Sequence, residues 1–199
     1  MSAAAGEYLS QRTIVAHLAD IFERRGGEEY LGEAVTMAEH MLQAAHLAEQ
    51  QGEEEQIIVA ALLHDIGHFT SEFGMFSLED THDRRHETAG AKVLEGFFPS
   101  VVTDCVRLHV AAKRFLCATD QDYLQQLSEA SIHSLRLQGG PMTSKEVAAF
   151  EKRPHAREVV RVRLLDDAGK IAGMATPGFA HYAPMVQRVV DRYCGHQES

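Results

Sequence analysis

Six side chains in this chain are of the types that hold metal ions and fall on or beside apolar helical faces: His40, the adjacent pair His64-Asp65, His86, His109 and Asp166. Taken singly, each is more often a hydrogen-bonded core residue than a ligand. Taken together, four histidines and two aspartates from separate helices are the inventory for two metal ions that share one carboxylate. Helical bundles build such sites from facing helices. Mixed imidazole and carboxylate ligation suits iron, manganese or zinc, with geometry deciding among them. His68 lies one turn beyond His64 on the same side, so spacing alone adds it as a ligand candidate. The pair His64-Asp65 ends an unbroken apolar run over 57–63, and an imidazole buried beside a carboxylate is costly unless a partner or a metal satisfies both.

The elements that must position these groups are read from periodicity. The run from Ile57 reads as a helix buried on every side, because its alanine and leucine content and lack of turn residues favour helix over strand. It delivers His64 and Asp65 at its C-terminal end. Ahead of it, residues 10–25 carry Ile14, Leu18, Ile21 and Phe22 at helical spacing and stop at Gly26-Gly27. A second helix runs to about Gln51, with His40 inside its apolar stripe. Periodicity disappears over 69–85, a loop carrying Phe69, Phe73 and Phe76 with Glu79 and Asp80. Further helices are predicted over 85–97, 99–116, 120–137, 143–151, 157–167 and 179–193. No strand alternation or repeat stands out. The prediction is an all-α helical bundle around a central buried helix that carries the His-Asp motif, as one domain over 1–199. Residues 1–27 supply an N-terminal helix, and 28–199 the core with the metal site.

A chain of 199 residues with 45% apolar composition can bury one substantial core. The net charge of −10 argues against a nucleic-acid or anionic-membrane partner, which calls for a basic surface, but not against a small anionic substrate met by local cations. Three widely spaced cysteines, Cys105, Cys117 and Cys194, read as reduced thiols, the N-terminus lacks a signal-peptide pattern, and no apolar run approaches spanning length. The expectation is a cytoplasmic protein. The histidines not yet named, His17, His46, His82, His133, His155, His181 and His196, read as solvated or structural.

The order His40, His64-Asp65, Asp166 resembles the H…HD…D pattern of the HD-domain superfamily, an all-α metal-binding fold, and His86 with His109 resembles the extra histidines of its dimetal members. A closer resemblance runs from about Glu29 to His181. Glu29-Tyr30-Leu31-Gly32-Glu33-Ala34, Ala60–His68, His109–Arg114 and Gln138–Met142 look like the HD-domain mixed-valent diiron oxygenases of the PhnZ/TmpB type, which cleave the carbon–phosphorus bond of 1-hydroxyalkylphosphonates. The resemblance implies two iron ions, Fe(II)/Fe(III), with O2 as co-substrate. His40, His64, Asp65 and Asp166 would hold one iron, and Asp65 would bridge to a second held with His86 and His109. Tyr30 would occupy the second iron until substrate displaces it, and Glu33 would hydrogen-bond to it and then face the ammonium end. His68, Lys113, Ser131 and Arg163 match phosphonate-contacting positions. Lys113 lies one turn beyond His109 and Arg163 three residues before Asp166, so each can reach the same site. An arginine fork suits paired phosphonate oxygens, with lysine as a point charge.

The implied reaction is oxidative cleavage of a 1-hydroxy-2-ammonioethylphosphonate, downstream of a phosphonate hydroxylase. A quaternary ammonium prefers aromatic faces and a nearby anion. The loop aromatics with Glu33, Glu79 or Asp80 therefore favour the trimethylammonio substrate, giving glycine betaine and phosphate, over the primary amine, which gives glycine. Two readings compete: a dimetal phosphohydrolase of a phosphate ester or nucleotide, and a regulatory metal-binding module without turnover.

Overall fold

The computed structural model describes residues 9–30, 32–70, 85–195 and 197. Among them the chain forms eleven helices and no strand; a lone antiparallel bridge joins Glu29 to Thr36. The all-α expectation holds. Helix α3 (Glu55–Leu63) is the axis of the bundle: every residue from Ile57 to Leu63 is buried, as an apolar run without a polar face requires. Against it pack α2 (Met37–Gln50), α6 (Ser100–Thr119), α10 (Ala156–Ala168) and α11 (Phe179–Gly195), while α1 (Ile14–Arg25) lies on α11 and α2.

Local chemistry sets the helix that carries His40. Thr36 caps α2 by accepting from the Glu39 amide, and Glu39 returns the bond to the Thr36 amide, a reciprocal box that fixes the helix start. Buried Gln43 bonds both ways to Ile171, donating to its carbonyl at 2.8 Å and accepting from its amide at 2.9 Å. The chain leaving α10 is thereby pinned across α2, and at Gly169 it runs so close that a Cβ would sit 3.0 Å from the His40 carbonyl oxygen.

Two expectations are corrected. The central helix does not continue through the His-Asp pair: α3 stops at Leu63, the chain turns through 64–66, and a new short helix α4 (Gly67–Thr70) carries His68. The break lets α4 lie across the start of α5 (His86–Leu94) at backbone contact, through Gly67 and Gly90. The predicted helix over 120–137 is two, α7 (Gln121–Gln126) and α8 (Glu129–Leu137), because Ser128 caps α8 by accepting from the Ser131 amide at 3.2 Å. The remaining helix, α9 (Ser144–Phe150), starts in a second capping box, Thr143 with Glu146. No helix among the described residues is long and apolar enough to cross a membrane.

Candidate metal centre

The six sequence-predicted metal-binding side chains converge. His40 comes from α2, His64 and Asp65 from the turn after α3, His86 from the first residue of α5, His109 from mid-α6 and Asp166 from the last turn of α10. Asp65 stands in the middle, with its oxygens divided between two histidine pairs. Oδ2 lies 3.6 Å from His40 Nε2 and 3.5 Å from His64 Nε2; Oδ1 lies 3.3 Å from both His86 Nε2 and His109 Nε2. Asp166 Oδ1 joins the first pair, 3.4 Å from His40 Nε2 and 3.8 Å from His64 Nε2. Donor atoms around one ion with bonds of roughly 2.1 Å stand about 3.0–3.4 Å apart; three of these separations fall in that range, and the other three, at 3.5, 3.6 and 3.8 Å, lie just beyond it.

Hydrogen-bond direction tests whether the cluster fits a metal. His40 Nδ1 bonds the Gly169 carbonyl, His64 Nδ1 the Ala61 carbonyl and His109 Nδ1 the Val106 carbonyl, each at 2.8 Å. A carbonyl only accepts, so each Nδ1 carries the proton and each neutral ring presents a bare Nε2 lone pair. Yet His40 Nε2 and His64 Nε2 face each other at 3.0 Å, and His86 Nε2 and His109 Nε2 at 3.1 Å. In the His40–His64 pair both Nδ1 protons are fixed, so two lone pairs face one another and need a positive charge between them. Without metal a proton serves: although burial opposes it, the Asp65 and Asp166 carboxylates push His64 up to about 9. A metal ion replaces that proton and uses the same lone pairs. Asp166 Oδ1 is buried without a hydrogen-bond partner, and so is His68 Nε2. The residues present therefore fit a dimetal group.

Tyr30 covers this cluster. Its ring stacks on His40, centroids 4.0 Å apart at 14°. Burial together with Asp65 and Asp166 raises its phenol well above the ordinary tyrosine range. Among the described residues no side-chain bond joins the Tyr30 phenol to Glu33: the Glu33 amide donates to the Tyr30 carbonyl at 2.7 Å, while the Glu33 carboxylate accepts from Ser128 Oγ at 2.6 Å. The segment 29–36 that carries both is tied at its base by the Glu29–Thr36 bridge and turns at Gly32, φ +74°. A glycine tolerates this left-handed conformation.

Beneath Tyr30 and Glu33 lies a cavity of about 40 Å³ lined also by His68, Lys113, Ser131 and Arg163, so all of the sequence-predicted substrate contacts border one space. Lys113 donates to Ser134 Oγ at 2.6 Å, and Arg163 Nη1 to Asp166 Oδ2 at 2.7 Å. His68 does not continue the helix of His64; it stacks on His86 at 4.0 Å with Nε2 3.8 Å from Asp65 Oδ1.

Sequence reasoning missed Lys170, Ser134 and Gln138, which also line the cavity. Lys170 donates to Ser131 Oγ at 3.2 Å and stands 4.0 Å from Glu33. Its signal was its place four residues after Asp166, hidden because Gly169 ends the helix between them. Phe69 departs from its expected place: it is absent from the cavity wall, and its ring lies under the Arg25 guanidinium at 5.1 Å. Phe73, Phe76, Glu79, Asp80, His82 and His196 lie outside the described residues. Of the histidines assigned no site role, His155 bonds Asp104 at 2.9 Å and His181 bonds Glu49 at 2.9 Å.

The chain belongs to the HD-domain family, whose pattern, described as HD domain, matches residues 37–166. It is 67% identical over 187 residues to the [1-hydroxy-2-(trimethylamino)ethyl]phosphonate dioxygenase (glycine-betaine-forming) of Leisingera caerulea, covering 94% of this chain and 95% of that protein. It is 42% identical to the hydroxymethylphosphonate dioxygenase of Gimesia maris, over 83% of each chain. An uncharacterized protein of Acanthamoeba polyphaga mimivirus is 34% identical, over 83% of this chain and 76% of its own.

Proposed function

We propose that the chain cleaves the carbon–phosphorus bond of (1-hydroxy-2-(trimethylammonio)ethyl)phosphonate oxidatively, giving glycine betaine and phosphate. One observation carries the chemistry: Asp65 turns one oxygen to each of two histidine pairs whose Nε2 atoms face one another. The likeness to the Leisingera enzyme at 67% identity supports the substrate. His40, His64, Asp65 and Asp166 would hold one iron, and Asp65, His86 and His109 the other. When bound, the irons supply Lewis acidity and a redox partner for dioxygen. The substrate itself gives the electrons that reduce O2: C1 gains oxygen and becomes the carboxylate, phosphorus leaves as phosphate, and the C1 hydrogen and hydroxyl proton end on phosphate and in solvent. No external reductant is consumed. A phosphonate hydroxylase upstream supplies the 1-hydroxyl.

The chain's own groups bind and shield. About 40 Å³ holds a few waters and not a substrate, so Tyr30 has to leave as the substrate arrives. Until then its ring and phenol cover the centre and exclude wasteful oxygen chemistry. Glu33, released from Ser128, faces the quaternary ammonium as a counter-ion. Arg163, Lys113, Ser131 and His68 receive the phosphonate oxygens.

Lys113 sets a pH dependence. Burial, with Arg163 and Lys170 nearby, pushes its ammonium down to about 7 against the opposing pull of Asp166 and Asp167, and Ser134 is its hydrogen-bond partner. The phosphonate needs the charged form, so kcat/KM falls as pH rises through about 7 in the free enzyme, roughly tenfold per unit. In Lys113→Met the alkaline limb of the pH–rate profile disappears, and kcat/KM at pH 6 is about a hundredfold lower. A limb retained in that variant assigns it to another group.

Turnover compared across the trimethylammonio, primary-amine and hydroxymethyl phosphonates under air tests the substrate. We expect kcat/KM at least about tenfold higher for the trimethylammonio compound. Equal or better use of the primary amine, or of hydroxymethylphosphonate, contradicts the assignment.

A further inference from the structure

Arg163 is buried, and its guanidinium is gripped from the side away from the cavity. Nε donates to Asp167 Oδ2 at 2.9 Å and to the Tyr123 hydroxyl at 3.0 Å. Nη2 donates to Asp167 Oδ1, and Tyr123 donates its own hydroxyl to Asp167 Oδ2 at 2.5 Å. Neither Tyr123 nor Asp167 lines the cavity, whereas Arg163 does. A guanidinium carries five N–H groups in one plane. Asp167 takes the Nε and Nη2 edge, and Asp166 takes one N–H of Nη1. That leaves one N–H on each Nη without an acceptor among the described residues. A carboxylate that bonds two edge nitrogens fixes the plane of the guanidinium, so the two remaining N–H groups keep one direction.

Tyr123 sits on α7 in a small apolar cluster with Cys117, Leu127 and Leu135, apart from the main core. A phenylalanine fills that cluster equally well. The hydroxyl is the one feature that phenylalanine lacks, and its bonds go to Asp167 and Arg163.

We infer that Tyr123 and Asp167 are positioning residues that aim the Arg163 fork at the phosphonate, an inference that rests on the phosphonate reading of the site. They touch no substrate. Their work is to remove the swivel that a lone arginine would have to lose on binding. Because Arg163 grips the phosphonate in substrate and transition state alike, loosening it weakens both equally, which raises KM and spares kcat.

The test compares wild type, Tyr123→Phe and Asp167→Asn in the iron-loaded full chain, measuring kcat, KM, iron per chain and Tm. The expected result is a KM for the hydroxyphosphonate raised about tenfold in Tyr123→Phe and further in Asp167→Asn, with kcat within about twofold and iron content unchanged. An unchanged KM in Tyr123→Phe overturns the inference. So does a loss of activity that tracks loss of iron, since Tyr123 would then act through Asp166. Should Asp167→Asn fail to fold, Tyr123→Phe decides alone. Anaerobic titration with inorganic phosphate separates this inference from the functional reading. If wild type binds phosphate but turns over no phosphonate, the functional reading fails, and an about tenfold weaker affinity in Tyr123→Phe still upholds the brace. Equal phosphate affinity in the two, or none in wild type, overturns it.

Discussion

Asp65→Asn is expected to lower turnover by about a thousandfold or more and to cut bound iron from two per chain to one or none. Among the described residues Asp65 is the single carboxylate with an oxygen toward each histidine pair. An amide is uncharged, keeps one acceptor oxygen and presents an NH2 group at the other position, so both pairs lose the anionic charge and one of them also loses its oxygen ligand. Charge follows: Asp65 is the foremost of the groups that hold the His64 ring protonated in the absence of metal. The fold itself should survive, because with the charge gone the His40–His64 pair loses its proton and the new NH2 can donate to a bare Nε2 lone pair there. Metal-free Asp65→Asn should therefore melt within a few degrees of metal-free wild type. Iron raises the wild-type Tm through binding to the native state alone, and that gain should shrink in the variant. Elemental analysis, phosphate release and calorimetry read the three quantities separately. An active variant that keeps two irons would show that the centre is not bridged through Asp65.

Gly67→Ala is expected to damage the same site through the backbone. A Cβ at Gly67 would lie 1.8 Å from the His86 carbonyl oxygen and 2.7 Å from the Gly90 amide nitrogen. Both are main-chain atoms, so neither can turn aside as a side-chain tip would. Either α4 lifts off α5 or the start of α5 shifts, and His86 moves with it. Overpacking of this kind costs about 3 kcal/mol, roughly 6–12 °C in Tm for a chain of this size. Iron per chain should fall together with Tm. Gly27→Ala is the control, since a Cβ there meets nothing within 4 Å, and its Tm and iron content should match wild type. A Gly67→Ala protein with wild-type Tm and metal content would refute the close crossing of α4 and α5.

The six-residue cluster was legible in the sequence because each member lies on or beside an apolar stripe, where an uncompensated imidazole or carboxylate is costly. The break after Leu63 was not. Apolar periodicity runs straight into His64, and what stops α3 is the need to bring Gly67 against α5, a contact between separate segments. The division of 120–137 had a local signal, Ser128 ahead of Glu129, but Leu124, Leu127 and Ile132 kept an apolar spacing that masked the cap. Asp167 was visible only as the neighbour of Asp166. Which of the two faces the histidines depends on the pull of Arg163 and Tyr123, the latter 44 residues away. Lys170 and Ser134 reach the cavity through bonds to Ser131 and Lys113 that no spacing rule anticipates. Of the loop aromatics only Phe69 falls among the described residues, and there residue type misled, because its ring lies under Arg25.

Low-temperature electron paramagnetic resonance on the iron-loaded protein, with metal content measured on the same sample, tests the dimetal oxygenase reading most directly. Two irons per chain, a mixed-valent signal, and a change in that signal when (1-hydroxy-2-(trimethylammonio)ethyl)phosphonate is added without oxygen are the expected results. A colourless protein that holds zinc or manganese, gives no such signal and hydrolyses phosphate esters in the absence of oxygen would contradict it.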